Sequence, residues 1–143
     1  MNNIIVKNLS YDPTDKSMEP SAHKIKKDFE NRFDKLHEDN KNIVIDNDSY
    51  KLDQMKLLIH KLQPYKVTHL KIEGEIYYKT IFQCRDIAIL VSGCLTSGYK
   101  GAGSNEFAMV LKEIGFDDAT LDSYIFSRNL STSLLEFTLI NNL

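Results

Sequence analysis

Gly98-Tyr99-Lys100-Gly101-Ala102-Gly103-Ser104-Asn105 is the stretch whose residue types and spacing could do chemistry, and that chemistry is anion binding. Four of the chain's six glycines, Gly93, Gly98, Gly101 and Gly103, fall close together here. A glycine turn between a strand and a helix can aim several backbone N–H groups, and the positive end of the helix dipole, at an anion. Gly98, Gly101 and Gly103 supply the turn, Lys100 a positive charge, Ser104 and Asn105 hydrogen-bond donors, and Tyr99 a ring able to stack on a base.

The segment is not a hydrolytic nucleotide loop. Gly98 and Gly103 have the G-x-x-x-x-G spacing, but Ser104 and Asn105 stand where such a loop continues with Lys and then Ser or Thr. The dinucleotide fingerprint fails as well, since no third glycine follows Gly101-Ala102-Gly103 at the required place. Glu106, in the first helical turn, is a carboxylate that competes for the same N–H groups. The plainer reading is a connection that needs positive φ angles.

Other constellations fail at identifiable positions. Asp46-Asn47-Asp48-Ser49-Tyr50 resembles the first half of a calcium loop, but Lys51 and Leu57 occupy the places of its glycine and glutamate. Asp48 or Ser49 is instead expected to cap a helix. Cys84 and Cys94 flank an expected strand too far apart for a disulfide, and His23, His37, His60 and His69 lack ligand spacing with them, so no metal and no cofactor is expected. Tyr77, Tyr78 and Phe82 interleave with Lys66, Lys71 and Lys79, as in single-strand binders. Neighbouring strand residues face opposite ways, however, so Tyr77 and Tyr78 cannot form one platform. No nucleophile or metalloprotease motif is present, which leaves catalysis only to convergence of His69, Asp46, Glu75 and Arg85 from separate elements.

Charge is unevenly spread about a formal net of −2. Residues 41 to 85 carry eight Lys or Arg against five acids, and residues 86 to 143 three against seven. Without a basic excess, general nucleic-acid binding lacks its main source of affinity. The acidic third can instead face a basic protein partner, through Glu106, Glu113, Asp117, Asp118 and Asp122.

These residues need elements to hold them. The 143-residue length suits one domain, 1–143, with a polar linker-like segment over 10–20. Strands are expected at Asn3–Leu9, Asn42–Asp46, Val67–Ile72, Glu75–Phe82, Ile87–Val91 and Leu134–Ile140, with Ile87–Val91 central and a tight turn at Glu73-Gly74. Ser21–Asp39, a segment through Leu52 to Leu62, and a segment from Ser104 to a Gly115 cap have helical periodicity, and a short helix follows Asp117 or Asp118. The expected fold is a single α/β or α+β domain: a mixed β-sheet of about five to six strands with three to four helices. The 67–72 and 75–82 strands should pair antiparallel, and the helical crossovers invite parallel neighbours.

No apolar run approaches the ~20 residues of a membrane span, and Met1-Asn2-Asn3 does not begin a secretion signal, so a cytoplasmic protein with no membrane contact is expected. The leading functional expectation is a non-enzymatic binding protein that neutralises or sequesters a partner, like an immunity protein, antitoxin or other inhibitor. The alternative is a module that binds a phosphorylated small molecule or nucleotide on loop 98–105.

Overall fold

The computed structural model describes residues 4–11, 19–72, 77–99, 101–127 and 132–142. Six strands form one mixed sheet: β1 (Ile4–Tyr11), β2 (Ile43–Ile45), β3 (Lys66–Ile72), β4 (Tyr77–Gln83), β5 (Ala88–Ser92) and β6 (Thr132–Leu139), in the order β1-β6-β3-β4-β5-β2. Four α-helices, α1 (Glu19–Glu38), α2 (Leu52–Leu62), α3 (Ala102–Lys112) and α4 (Asp118–Leu121), complete a single-domain α+β fold, and α4 runs on into a π-helical turn at Asp122–Phe126. None of the described helices is long and apolar enough to cross a membrane.

Strand periodicity sorts the side chains onto two faces. Val67, Phe82, Ile89, Val91, Leu135, Phe137 and Leu139 point one way and meet Met55 and Ile59 of α2 and Phe107, Val110 and Leu111 of α3. Leu70, Ile81, Ala88 and Leu90 point the other way, under Phe29 and Phe33 of α1. Because both faces of β5 are covered, Ala88 to Val91 are all buried, which explains their uninterrupted apolar run. Leu135, Phe137 and Leu139 alternate with half-buried Glu136 and Thr138, as their period of two requires.

The β3–β4 pair is antiparallel, with Val67 opposite Phe82 and Ile72 opposite Tyr77, and its expected turn at 73–74 lies outside the described residues. The crossovers correct one expectation. β1, β2 and β3 do run in the same direction, but they are not neighbours, and only β2 and β5 form a parallel hydrogen-bonded pair. β5 is also not central; it lies second from the β2 edge. Full burial came from two helical layers, not from a middle position.

Three boundaries differ from the sequence-based expectation. Ser10 and Tyr11 extend β1 along β6, and Glu19 and Pro20 open α1, where proline's missing N–H costs nothing; the rest of the expected 10–20 linker lies outside the described residues. Neither Asp48 nor Ser49 caps α2, whose N-cap is Lys51 with no side-chain bond. Asp46 Oδ1 instead accepts from the Asp48 and Ser49 amides at 3.0 and 2.9 Å, which closes a turn after β2 and delays the helix. The α3 terminus follows its pattern. Gly115 has φ of 97°, the Phe116 amide returns to Leu111 O at 3.3 Å, and the Phe116 ring packs edge-on against Phe137.

Candidate functional site

The segment after β5 turns inward before it starts α3. Leu95, Thr96, Ser97 and Gly98 are buried, the last with φ of 85°. The Gly98 amide donates to Ile125 O at 2.8 Å and the Gly93 amide to Tyr78 O at 2.9 Å, so two of the loop's N–H groups are occupied internally. Thr96 Oγ1 donates to Tyr99 OH at 2.8 Å and shares a 3.1 Å hydrogen bond with Ser104 Oγ, which is fully buried. A Cβ on Gly103 would lie 2.6 Å from Thr96 Oγ1, and one on Gly101 would lie 2.4 Å from the Tyr99 ring. Both glycines are therefore needed to let the turn fold back on itself.

Tyr99 thus lies against Gly101, its ring half-exposed. Gly101 is the N-cap of α3, in extended backbone conformation and with no side-chain cap, and Asn105 N donates to its carbonyl at 2.9 Å. Asn105 itself is exposed, and Lys100 lies outside the described residues.

Beneath this turn is a polar set carried by the sheet. His69 on β3 is fully buried; its Nδ1 lies 2.8 Å from Thr80 Oγ1 on β4 and its Nε2 2.9 Å from Ser97 Oγ. Hydroxyls can donate or accept, so both ring nitrogens of a neutral imidazole are satisfied in either tautomer. The Tyr78 ring stacks on the imidazole at 5.9 Å and Phe107 closes the other side at 4.7 Å. Burial, and secondarily the charge of Lys71, pushes the His69 pKa down to about 3. This histidine is a structural hydrogen-bond hub. Asp46 is exposed at the far end of β5 from Arg85, and Glu75 lies outside the described residues, so the structure does not bring His69, Asp46 and Arg85 together.

Lys71, two residues after His69 on the same face, was not singled out from sequence as a site residue. It is only 7% exposed, and its amino end abuts Gly98: a Cβ there would lie 2.4 Å from Nζ. The signal available was the period of two from buried Val67 through His69, which places Lys71 on the covered face.

The five acidic residues expected to meet a partner sit on or around α3 and α4, and most also bond internally. Glu106 accepts from Tyr50 OH at 3.1 Å. Glu113 bridges α3 to α2 through Lys56 at 3.7 Å and His60 at 3.5 Å. Asp117 caps α4 by accepting from the Thr120 amide at 2.7 Å, a bond that holds its carboxyl below the usual range. Asp118 pairs with Lys112 at 2.9 Å, and Asp122 is exposed on the π-helical turn.

Cys84 and Cys94 are free thiols at opposite ends of β5. Burial pushes the Cys84 pKa up to about 11, and raises that of Cys94 with help from the charges of Asp46 and Glu106, so neither is activated as a nucleophile. Among the described residues no three His, Cys, Asp or Glu side chains are grouped to hold a metal ion. Comparison with protein-family models, curated proteins and solved structures gives no match, and the functional reading therefore rests on the chain's own residues.

Proposed function

We propose that this chain is a non-enzymatic cytoplasmic binding protein that neutralises or sequesters a protein partner, as an immunity protein, antitoxin or inhibitor does, and that it uses the α2–α3 face. The observation that carries this reading is that three of the six exposed large apolar side chains among the described residues lie on or beside α2 and α3, the others being Ile5, Val44 and Ile140. Leu57 on α2 is 71% exposed, Met109 on α3 is 42% exposed, and Tyr99, just ahead of α3, is 44% exposed. Leu57 lines a groove of about 390 Å³ with Asp53, Lys56, His60 and Glu113. Apolar and aromatic anchors beside a charged rim are the usual composition of a protein interface.

Glu106, Met109 and Glu113 follow the i, i+3, i+7 pattern and so share one side of α3. With Asp117, Asp118 and Asp122 they give this region an acidic character suited to a basic partner, whose encounter such charges accelerate. The sealed, neutral His69 fits the non-enzymatic half of the proposal, because it has no free nitrogen for proton transfer.

The test is retrieval of the partner from cells that make the protein, using wild type, Leu57→Asp with Met109→Asp, and Ile5→Asp as an exposed control on β1. The double variant should fold normally by circular dichroism and lose the partner, while Ile5→Asp keeps it. The association rate should fall as salt rises. Undiminished binding by the double variant would remove the α2–α3 face from consideration.

A further inference from the structure

We propose that Lys71, reaching up beneath the Gly98 turn, binds the phosphoryl group of a small soluble ligand. This site adjoins the α2–α3 face, since Tyr99 lies between Gly98 and the α3 N-cap Gly101, but its test uses a small anion and no protein partner. The anion expected on the outer side of loop 98–105 is instead met by a cation supplied from the sheet.

Three observations converge. First, Lys71 is more than nine-tenths buried, yet its side chain makes no hydrogen bond or ion pair with a described residue. Buried charges are ordinarily paired, because desolvating an unmatched one is costly. Thr68 Oγ1 is the one side-chain nitrogen or oxygen among the described residues that is both sealed from solvent and unpartnered, so the equally unpartnered Lys71 Nζ keeps an opening to solvent. The stem is covered and the charged end is reachable.

Second, position 98 is doubly restricted to glycine. Its φ of 85° disfavours other residues, and a Cβ would collide with the lysine, approaching Nζ at 2.4 Å and Cε at 3.3 Å. The amino end leads, with no side chain of residue 98 between it and the turn. Third, α3 begins a few residues later on Gly101 with no side-chain cap. A point-charge lysine under the turn that leads into an uncapped helix start is a combination suited to phosphate. Among the described residues His69 is neutral and Tyr78 OH leans toward Ser97 O at 3.5 Å, while the Glu106 carboxylate in the first turn of α3 is turned to Tyr50 OH and keeps its charge.

Lysine acetylation read by mass spectrometry on the wild-type protein tests this directly, with inorganic phosphate and adenosine monophosphate as probes and acetate as control. Either phosphate probe should slow acetylation of Lys71 and leave Lys56 and Lys112 unchanged, whereas acetate at the same concentration should not. Calorimetry should then show Lys71→Gln weakening phosphate binding by about 10- to 100-fold, the usual loss for one charge-assisted hydrogen bond, with Lys71→Arg retaining part of it. Unprotected Lys71 at millimolar phosphate, equal protection by acetate, or unchanged affinity in Lys71→Gln would each overturn the proposal; the labelling result does not depend on any variant folding.

Discussion

The sheet face under α2, α3 and α4 buries a large aromatic and aliphatic core together with His69, Thr80 and Ser97, whose polar atoms satisfy one another. The face under α1 buries Leu70, Ile81, Ala88, Leu90, Phe29 and Phe33, and also one hydroxyl, Thr68 Oγ1, that meets no partner among the described residues. The same strand, β3, feeds both faces: Thr68 turns one way and His69 the other. Around His69 the buried polar atoms are answered by neighbouring hydroxyls, whereas Thr68 Oγ1 under α1 and the Lys71 ammonium on the His69 side go unanswered among the described residues, each at a local cost.

The largest expected consequence is in packing. Phe107 is fully buried between His69 and Phe82, with ring centroids 4.7 and 6.5 Å away, so Phe107→Ala should cost about 3–5 kcal/mol in urea unfolding. Phe33, on the single covering helix α1, packs with Phe29 against the sheet and beneath the Lys79 ammonium, where the cover can relax, and Phe33→Ala should cost clearly less. Equal losses would erase the distinction between the faces.

A second consequence is confined to the polar face. The unfolded chain protonates His69 near its ordinary pKa of 6.5, whereas the folded chain resists until about pH 3. The contribution is fully present above pH 6.5 and is lost as pH falls from there toward 3, because the unfolded state then binds more protons. At pH 5 the loss should be about 2 kcal/mol relative to pH 7. His69→Gln, which keeps hydrogen-bonding capacity without the titration, should flatten that slope in unfolding measured at both pH values.

The smallest expected effect has the opposite sign and belongs to the α1 face. Thr68→Val replaces an orphaned hydroxyl with a methyl of the same shape, so stability should rise by up to about 1 kcal/mol. A loss on thermal unfolding would mean that the hydroxyl is answered after all, and the contrast between faces would weaken.

Much of the scaffold was legible because its signals are local. Phe107, Val110, Leu111 and Ile114 announce α3 by spacing alone, and Gly115 with Phe116 announces its end. The α2 start lies later than expected because Asp46, just after β2, draws the Asp48 and Ser49 amides and the Ser49 hydroxyl into a turn, so that the helix begins only after Lys51. At the candidate site the glycines were visible but their direction was not. Whether Ser104 offers its hydroxyl outward or to Thr96, and whether Gly98 presents its amide to solvent or to Ile125, depends on which elements close over the turn. Lys71 read as a strand lysine among several, and only the chain folded over it distinguishes it from Lys66 or Lys79.

From sequence alone, helix and strand identity, the alternation that buries Leu135, Phe137 and Leu139, and the glycine requirement near residue 100 were determined, since each depends on backbone geometry within a few neighbouring residues. Strand order, the separation of β1 and β2 to opposite edges, and the meeting of Lys71 with Gly98 were decided only by tertiary structure. Pairing between distant segments is chosen by the sum of all buried surfaces at once, and no local pattern carries that sum.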